Sequence, residues 1–260
     1  MDLGLAGKTA LVTGAGRGLG AAICRSLASE GVRLVACSRT ESDLSALLNS
    51  VTNPDTHLLF ATDLGSTAGP GHLIQYVDEL GVDIDIVINN VGGTLGMDNP
   101  LLPLEAFWSV MHLNLGVAVE LNAHFIPAMQ QRGWGRICHV SSISALENQG
   151  PPAYCAAKAA LNAYLRSLGR FVSPDNVILT GIMPGAVLTS DGYWDQARKD
   201  RPEHVRKYLD ERMAIKRFGR EEEISEAVSF LVSENASFLV GTVLLADGGQ
   251  GRVFYPQGDQ

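Results

Sequence analysis

Tyr154 and Lys158 stand four residues apart in Tyr154-Cys-Ala-Ala-Lys158. On a helix that spacing puts both on one face, a phenol one turn from an ammonium. A tyrosine is a useful acid near neutrality only if its pKa of about 10 falls. A cation about 4 Å away at an effective dielectric of about 20 contributes about 4 kcal/mol, enough to lower the phenol by roughly three pH units. The pair therefore predicts a proton donor made acidic by its neighbour.

A second group of residues is suited to phosphate. Thr13, Gly14, Gly16, Arg17, Gly18, Leu19 and Gly20 follow an apolar run directly and open a segment of helical spacing. Glycines there let backbone N–H groups approach a pyrophosphate, and the helix start adds positive potential. The second strand ends in Ser38 and Arg39, with no carboxylate before Glu41. An acid at that place accepts from the free ribose hydroxyl of NAD, whereas an arginine accommodates the 2′-phosphate of NADP. With Arg17 as a second cation and roughly 1.5 to 3 kcal/mol per charge-assisted hydrogen bond, the residues predict NADP(H) over NAD by at least about a hundredfold.

These side chains need a scaffold, and the chain supplies one. Short runs rich in β-branched residues recur at 9–13, 33–37, 58–61, 84–89, 136–140, 177–182 and 242–246, and read as strands buried on both faces. Stretches of helical spacing separate them, such as Leu19, Ile23, Leu27 and Phe107, Val110, Met111, Asn114. Strand and helix alternate, so the reading is α/β, with a parallel, doubly wound sheet. The charged segment Asp191 to Arg217 breaks the pattern and reads as an excursion carrying a helix or two.

Composition narrows the possibilities. The 260 residues are 46% hydrophobic and carry a net charge of −8, the wrong sign for binding nucleic acid through its phosphates. The four cysteines, Cys24, Cys37, Cys138 and Cys155, form no CxxC pair, and no His/Cys/carboxylate spacing resembles a metal site. No apolar stretch is long enough to span a membrane, and a strand-like run begins too early for a signal peptide. One domain over residues 1–260 in a reducing cytoplasm is the expectation, with no membrane and no nucleic acid among its partners.

Taken together, the motifs resemble the short-chain dehydrogenase/reductase family, in its short-subunit branch and near the 3-oxoacyl-(acyl-carrier-protein) reductase-like members. Matches run from Thr9 to Gly249. The resemblance implies a single Rossmann-type domain with a seven-stranded, mostly parallel sheet and helices on both faces. It assigns adenine contact to Asp63 with Leu64, and cofactor contact to Asn90, Val91 and Gly92, where Val91 replaces the family's alanine. Pro184, Gly185, Val187 and Thr189 match the segment that holds the nicotinamide. The catalytic residues carried over are Asn114, Tyr154, Lys158 and a serine, Ser142 or Ser141, with the strand end favouring Ser142; Tyr154 and Lys158 also face the cofactor. Phe218 to Glu222 and Asp247 to Gly249 match structural signatures.

The implied activity is hydride transfer between NADP(H) and a carbonyl or secondary alcohol, by a ketone or 3-oxoacyl reductase. Sugar, polyol or nucleotide-sugar oxidation at the same site is one alternative, and a non-catalytic NADP sensor or scaffold is another. The stretch 186–220 covers the substrate in the family. Here it carries nine Lys and Arg against six acids, net +3, which points to an anionic or carrier-linked substrate or to paired surface charge. Tyr193 and Trp194 read as lid aromatics or as anchors of the excursion. His139 reads as packing away from the site, and His112 and His124 as lying in the helix near Asn114. Family members are tetramers, so a homotetramer or homodimer is expected, with Phe254 and Tyr255 of the tail as candidate protomer contacts.

Overall fold

A computed structural model describes residues 1–147, 149–190 and 192–252. Phe254 and Tyr255 lie outside the described residues. Seven strands form one sheet: β1 (Thr9–Thr13), β2 (Arg33–Ser38), β3 (Leu58–Ala61), β4 (Ile86–Asn89), β5 (Gly135–Val140), β6 (Val177–Pro184) and β7 (Val243–Ala246). Their order is β3-β2-β1-β4-β5-β6-β7, and every neighbouring pair is parallel. The expected strands are found with ends shifted by no more than two residues. β4 starts later than its apolar run because Asp85 is occupied at the sheet's lower edge, where its carboxylate accepts the Thr9 N–H at 3.0 Å.

Side chains alternate across the sheet, and both faces are covered, which is why the runs are apolar throughout. Ala10, Val12, Leu34, Ile86 and Ile88 pack on one side with Ile23 and Leu27 of α1 (Gly18–Ser29) and Val228 and Leu231 of α10 (Glu221–Leu231). Leu11, Val35 and Val87 pack on the other with Leu73 and Val77 of α3 (Gly69–Leu80) and Leu121, Phe125 and Met129 of α5 (Val117–Arg132). Each such buried aliphatic side chain contributes about 1.5–3 kcal/mol. The four cysteines are free and buried. Among the described residues no helix is long and apolar enough to cross a membrane.

The remaining helices are α2 (Glu41–Leu48), α4 (Leu104–Met111), α6 (Ser144–Glu147), α7 (Pro152–Val172), α8 (Tyr193–Asp200) and α9 (Pro202–Arg212). The last two form the expected excursion and have their own small core of Ala186, Ala197, Val205, Met213 and Phe218. Trp194 packs on Tyr208 at 4.3 Å and Phe218 at 4.9 Å, so it anchors the excursion, while Tyr193 stays exposed. Strand order reverses between β1 and β4, which opens a crevice at the carboxyl ends of the strands, the place where doubly wound sheets bind ligands.

Candidate active site

The crevice is a cleft of about 780 Å³ that runs from the end of β2 across the glycine loop to Thr189. Its floor depends on glycine. A Cβ on Gly20 would sit 2.0 Å from the Gly14 carbonyl oxygen, so the loop folds back on α1 only because position 20 lacks a side chain. Asn90 holds the loop from the other side by donating through Nδ2 to the Thr13 and Gly14 carbonyls at 2.9 and 3.1 Å. The first turn of α1 has no acidic residue, so its positive end is uncompensated where it meets the cleft.

Of the expected cofactor residues, Gly14, Arg17, Gly18, Leu19, Gly20, Ser38, Arg39, Asp63, Leu64, Asn90, Val91, Gly92 and Thr189 line this cleft. Thr13 does not. It is fully buried, its hydroxyl donates to the Ile88 carbonyl and accepts the Asn90 and Val91 N–H groups, and it thereby shapes the wall from behind. Gly16 packs against Ser38, where a Cβ would stand 2.6 Å from Oγ. Gly185 lies against Gln250 and Asp247, and Val187 bridges to Gly219, so with Pro184 they shape the segment that presents Thr189. Thr62, Gly65, Gly93, Leu95, Leu113, Ser190 and Gly192 also line the cleft and were missed. Each is the sequence neighbour, or near neighbour, of a residue that was found, and their ordinary types carry no signal of their own. The side chains of Arg17 and Arg39 have no ion pair or hydrogen bond among the described residues, so two uncommitted cations face the same end of the cleft.

Beside Gly92 the four expected catalytic residues converge, although none of them, Tyr154 and Lys158 included, is among the residues lining the cleft. Asn114 sits in a π turn, His112–Gly116, that joins α4 to α5; such turns occur often at functional sites. Its side-chain amide is held rigidly, with Oδ1 accepting the Gly93 N–H at 3.0 Å and Nδ2 donating to the carbonyls of Gly93 and Val110 at 2.8 and 2.9 Å. A Cβ on Gly92 would stand 2.6 Å from Asn114 Oδ1 and 2.9 Å from Lys158 Nζ, which shows how closely the asparagine, the lysine and this glycine are packed. Tyr154 and Lys158 share a face of α7, the ammonium 5.7 Å from the centre of the phenol ring. Ser142 hydrogen-bonds with the phenol, while Ser141 is buried with its hydroxyl unpartnered among the described residues. Of the two serines, only Ser142 faces the tyrosine.

The electrostatics correct one expectation. Burial pushes the Tyr154 phenol up, the Ser142 hydrogen bond opposes this, and Cys155 adds to the rise; Lys158 does not make the phenol acidic here. The lysine instead donates to the Val140 carbonyl at 2.9 Å, and burial lowers its own pKa to about 8. Desolvation is the largest influence on both groups, and it favours the neutral phenol and the neutral amine. Tyr154 accordingly carries its proton throughout the neutral range, the form a proton donor needs.

The same buried groups set a pH dependence of stability. Cys24, Cys37 and Cys138 are pushed up to about 12 by burial. The stability they hold is full below an unfolded value of about 9 and is lost as pH climbs towards about 12. Lys158 works oppositely: its folded value of about 8 lies below its unfolded one, so it adds stability as pH rises above about 8. With three thiols against one lysine, stability is expected to hold level from about pH 8 to 9 and to drop by about 2 kcal/mol by about pH 10. Urea melts under reducing conditions check this, and a steady rise over the whole interval would contradict the protonated, buried state of the thiols.

Part of the excursion's charge is spent in ion pairs. Lys199 pairs with Asp195, Arg206 with Glu203, Lys207 with Glu211, and Arg217 and Arg220 both with Glu223. Lys216 donates to the Asp210 carbonyl. Arg198, Arg201 and Arg212 form no ion pair among the described residues, so the pairing leaves part of the local basic excess standing. Among the described residues no group of three or more His, Cys, Asp or Glu is placed to hold a metal. His139 is buried on β5 against Tyr164, and His124 pairs with Asp78 on the surface.

A doubly wound sheet with a glycine-floored cleft at its switch point, and a tyrosine, a lysine, a serine and an asparagine beside it, defines a nicotinamide-dependent oxidoreductase acting on CH–OH and C=O groups. The chain belongs to the short chain dehydrogenase family, whose model matches residues 8–199. It is 30% identical to an L-xylulose reductase of Mesocricetus auratus, covering 96% of this chain and 98% of that one. It is 31% identical to a 3-oxoacyl-[acyl-carrier-protein] reductase of Pseudomonas aeruginosa, covering 95% and 98%. The crystal structure of an L-sorbose reductase from Gluconobacter frateurii, complexed with NADPH and L-sorbose, superposes with a TM-score of 0.88 at 31% identity, over 96% of this chain and 98% of that one.

Proposed function

We propose that the protein is an NADPH-dependent reductase of ketones, assembled as a homotetramer in a reducing cytoplasm. The observation that carries the coenzyme reading is the pair of uncommitted cations, Arg17 and Arg39, beside Ser38 at the end of the cleft where a 2′-phosphate would lie. A hydroxylated ketone is favoured by the likeness to the xylulose and sorbose reductases, and an acyl thioester by the likeness to the 3-oxoacyl reductase. Exposed Leu101, Leu104 and Trp108 around α4 suit burial between protomers.

The glycine loop, Asp63, Asn90 and Thr189 would hold NADPH, which would supply the hydride when bound. Tyr154 Oη passes its proton to the carbonyl oxygen of the substrate, and Ser142 Oγ hydrogen-bonds that oxygen as negative charge develops on it. Lys158 holds positive charge behind the phenol, and Asn114 keeps one lone pair of Oδ1 for a water that returns a proton from solvent. Purified protein assayed with NADPH and NADH against simple ketones, ketoses and 3-oxoacyl thioesters tests the reading. Turnover of a ketone or ketose with NADPH is expected; oxidation of NADPH by none of them, despite tight binding, would favour the sensor instead.

A further inference from the structure

Four polar side chains from four different elements meet beneath the site. They are Asn89 at the end of β4, Asn122 in α5, His139 in β5 and Tyr164 in α7, and the first three are no more than 4% exposed. Asn89 Nδ2 donates to Asn122 Oδ1 at 3.1 Å and lies 3.3 Å from His139 Nε2. Asn122 Nδ2 lies 3.1 Å from the same ring nitrogen and donates to Tyr164 Oη at 3.4 Å. The Tyr164 ring meets the imidazole edge to face at 6.2 Å.

Two amide groups thus converge on a single nitrogen. An N–H only donates, so Nε2 is the accepting nitrogen and the imidazole is neutral, with its proton on Nδ1. Burial favours the same neutral state and the Lys158 charge adds to it, against a backbone hydrogen bond at Thr180 that acts the other way.

Each element of the quartet carries an active-site group a short way along the chain. Asn89 directly precedes Asn90, Val91 and Gly92; Asn122 follows Asn114 by eight residues; His139 precedes Ser142 by three; Tyr164 follows Lys158 by six. Apolar packing around these elements tolerates small sliding, whereas buried donors and acceptors pair in one arrangement only. We propose that His139 is a positioning residue: the shared acceptor that fixes β4, β5, α5 and α7 in the register at which Asn114, Ser142, Tyr154 and Lys158 meet. Its effect on turnover rests on the reductase reading, while its effect on register does not.

His139→Phe removes the acceptor and strands both amides. His139→Gln restores one, because glutamine Oε1 reaches about as far as Nε2. In the Phe variant, assayed well below its melting point, kcat is expected to fall at least about tenfold, with NADPH affinity by fluorescence within about threefold of wild type. The Gln variant is expected to stay within about threefold of wild type in kcat. Amide hydrogen exchange in the Phe variant is expected to quicken together at Asn90 to Gly93, around Asn114 and at Ser141 to Ser142. A folded Phe variant with wild-type kcat, a Gln variant as slow as Phe, or faster exchange confined to β5 would overturn the inference. Should the Phe variant not fold, Tyr164→Phe keeps the ring and removes only the hydroxyl. A kcat lowered at least about threefold at an unchanged melting point then supports the role, and an unchanged kcat overturns it. A wild-type protein that reduces none of the carbonyls sinks the reductase reading alone, since hydrogen exchange still decides the register.

Discussion

Tyr154→Phe is expected to lower kcat for ketone reduction by about a hundredfold to ten-thousandfold, the range that a positioned general acid contributes. The phenol has two functions in the site, and the substitution separates them. Its ring packs in α7 among side chains that phenylalanine retains, so the fold loses only the hydrogen bond with Ser142, about 1 kcal/mol. Its hydroxyl is the proton source, for which phenylalanine has no substitute. NADPH affinity is expected to stay near normal, because the glycine loop, Arg17, Arg39 and Asp63 are untouched. Steady-state rates with a fluorescence titration of NADPH check both halves. A variant that keeps more than about a tenth of the wild-type rate would remove the tyrosine from the proton path. A variant that loses NADPH binding as well would instead mark the phenol as part of the cofactor's seat.

What the chain reveals before folding, and what it hides, follows from how local each signal is. Strands covered on both faces appear as unbroken apolar runs, so β1 to β7 are legible to within two residues. The Tyr154 and Lys158 spacing is a property of one helix, and the glycine loop of one turn, so both can be read directly. The direction in which Lys158 spends its charge is set by Val140, eighteen residues away on another element, and no spacing rule reaches it. For the same reason a neighbouring cation appears sufficient to acidify the phenol on paper, while burial reverses the sign in the fold. Which of the excursion's charges are paired is also hidden, because pairings such as Lys199 with Asp195 or Arg217 with Glu223 depend on how α8, α9 and the following turn are placed. The π turn around Asn114 and the quartet around His139 are likewise products of tertiary packing. His139 in the sequence is a lone histidine in a strand, and only Asn89 and Asn122 opposite give it a role.

The coenzyme preference tests the β2 end of the cleft. Arg39→Asp is expected to shift the ratio of kcat/KM for NADPH over NADH by at least about a hundredfold towards NADH, the equivalent of about 3 kcal/mol. The substitution acts twice: it removes a donor to the 2′-phosphate, and it places a carboxylate where one would repel that phosphate and accept from a free 2′-hydroxyl. Arg39 is exposed and without a partner among the described residues, so the melting point is expected to stay put, as at other surface positions. Because the site is open to water, the wild-type preference is also expected to shrink as salt rises, an effect that a purely steric selector would not show. Arg17→Ala is the companion: it removes the second cation without adding a charge, and its smaller shift should largely add to that of Arg39→Asp if both read the same phosphate. Equal losses with the two coenzymes would mean that Arg39 shapes the loop and that the phosphate reader lies elsewhere. Loss with NADPH alone, with NADH unimproved, would still place the phosphate at Arg39 while showing that the end of β2 lacks the geometry to accept a bare ribose.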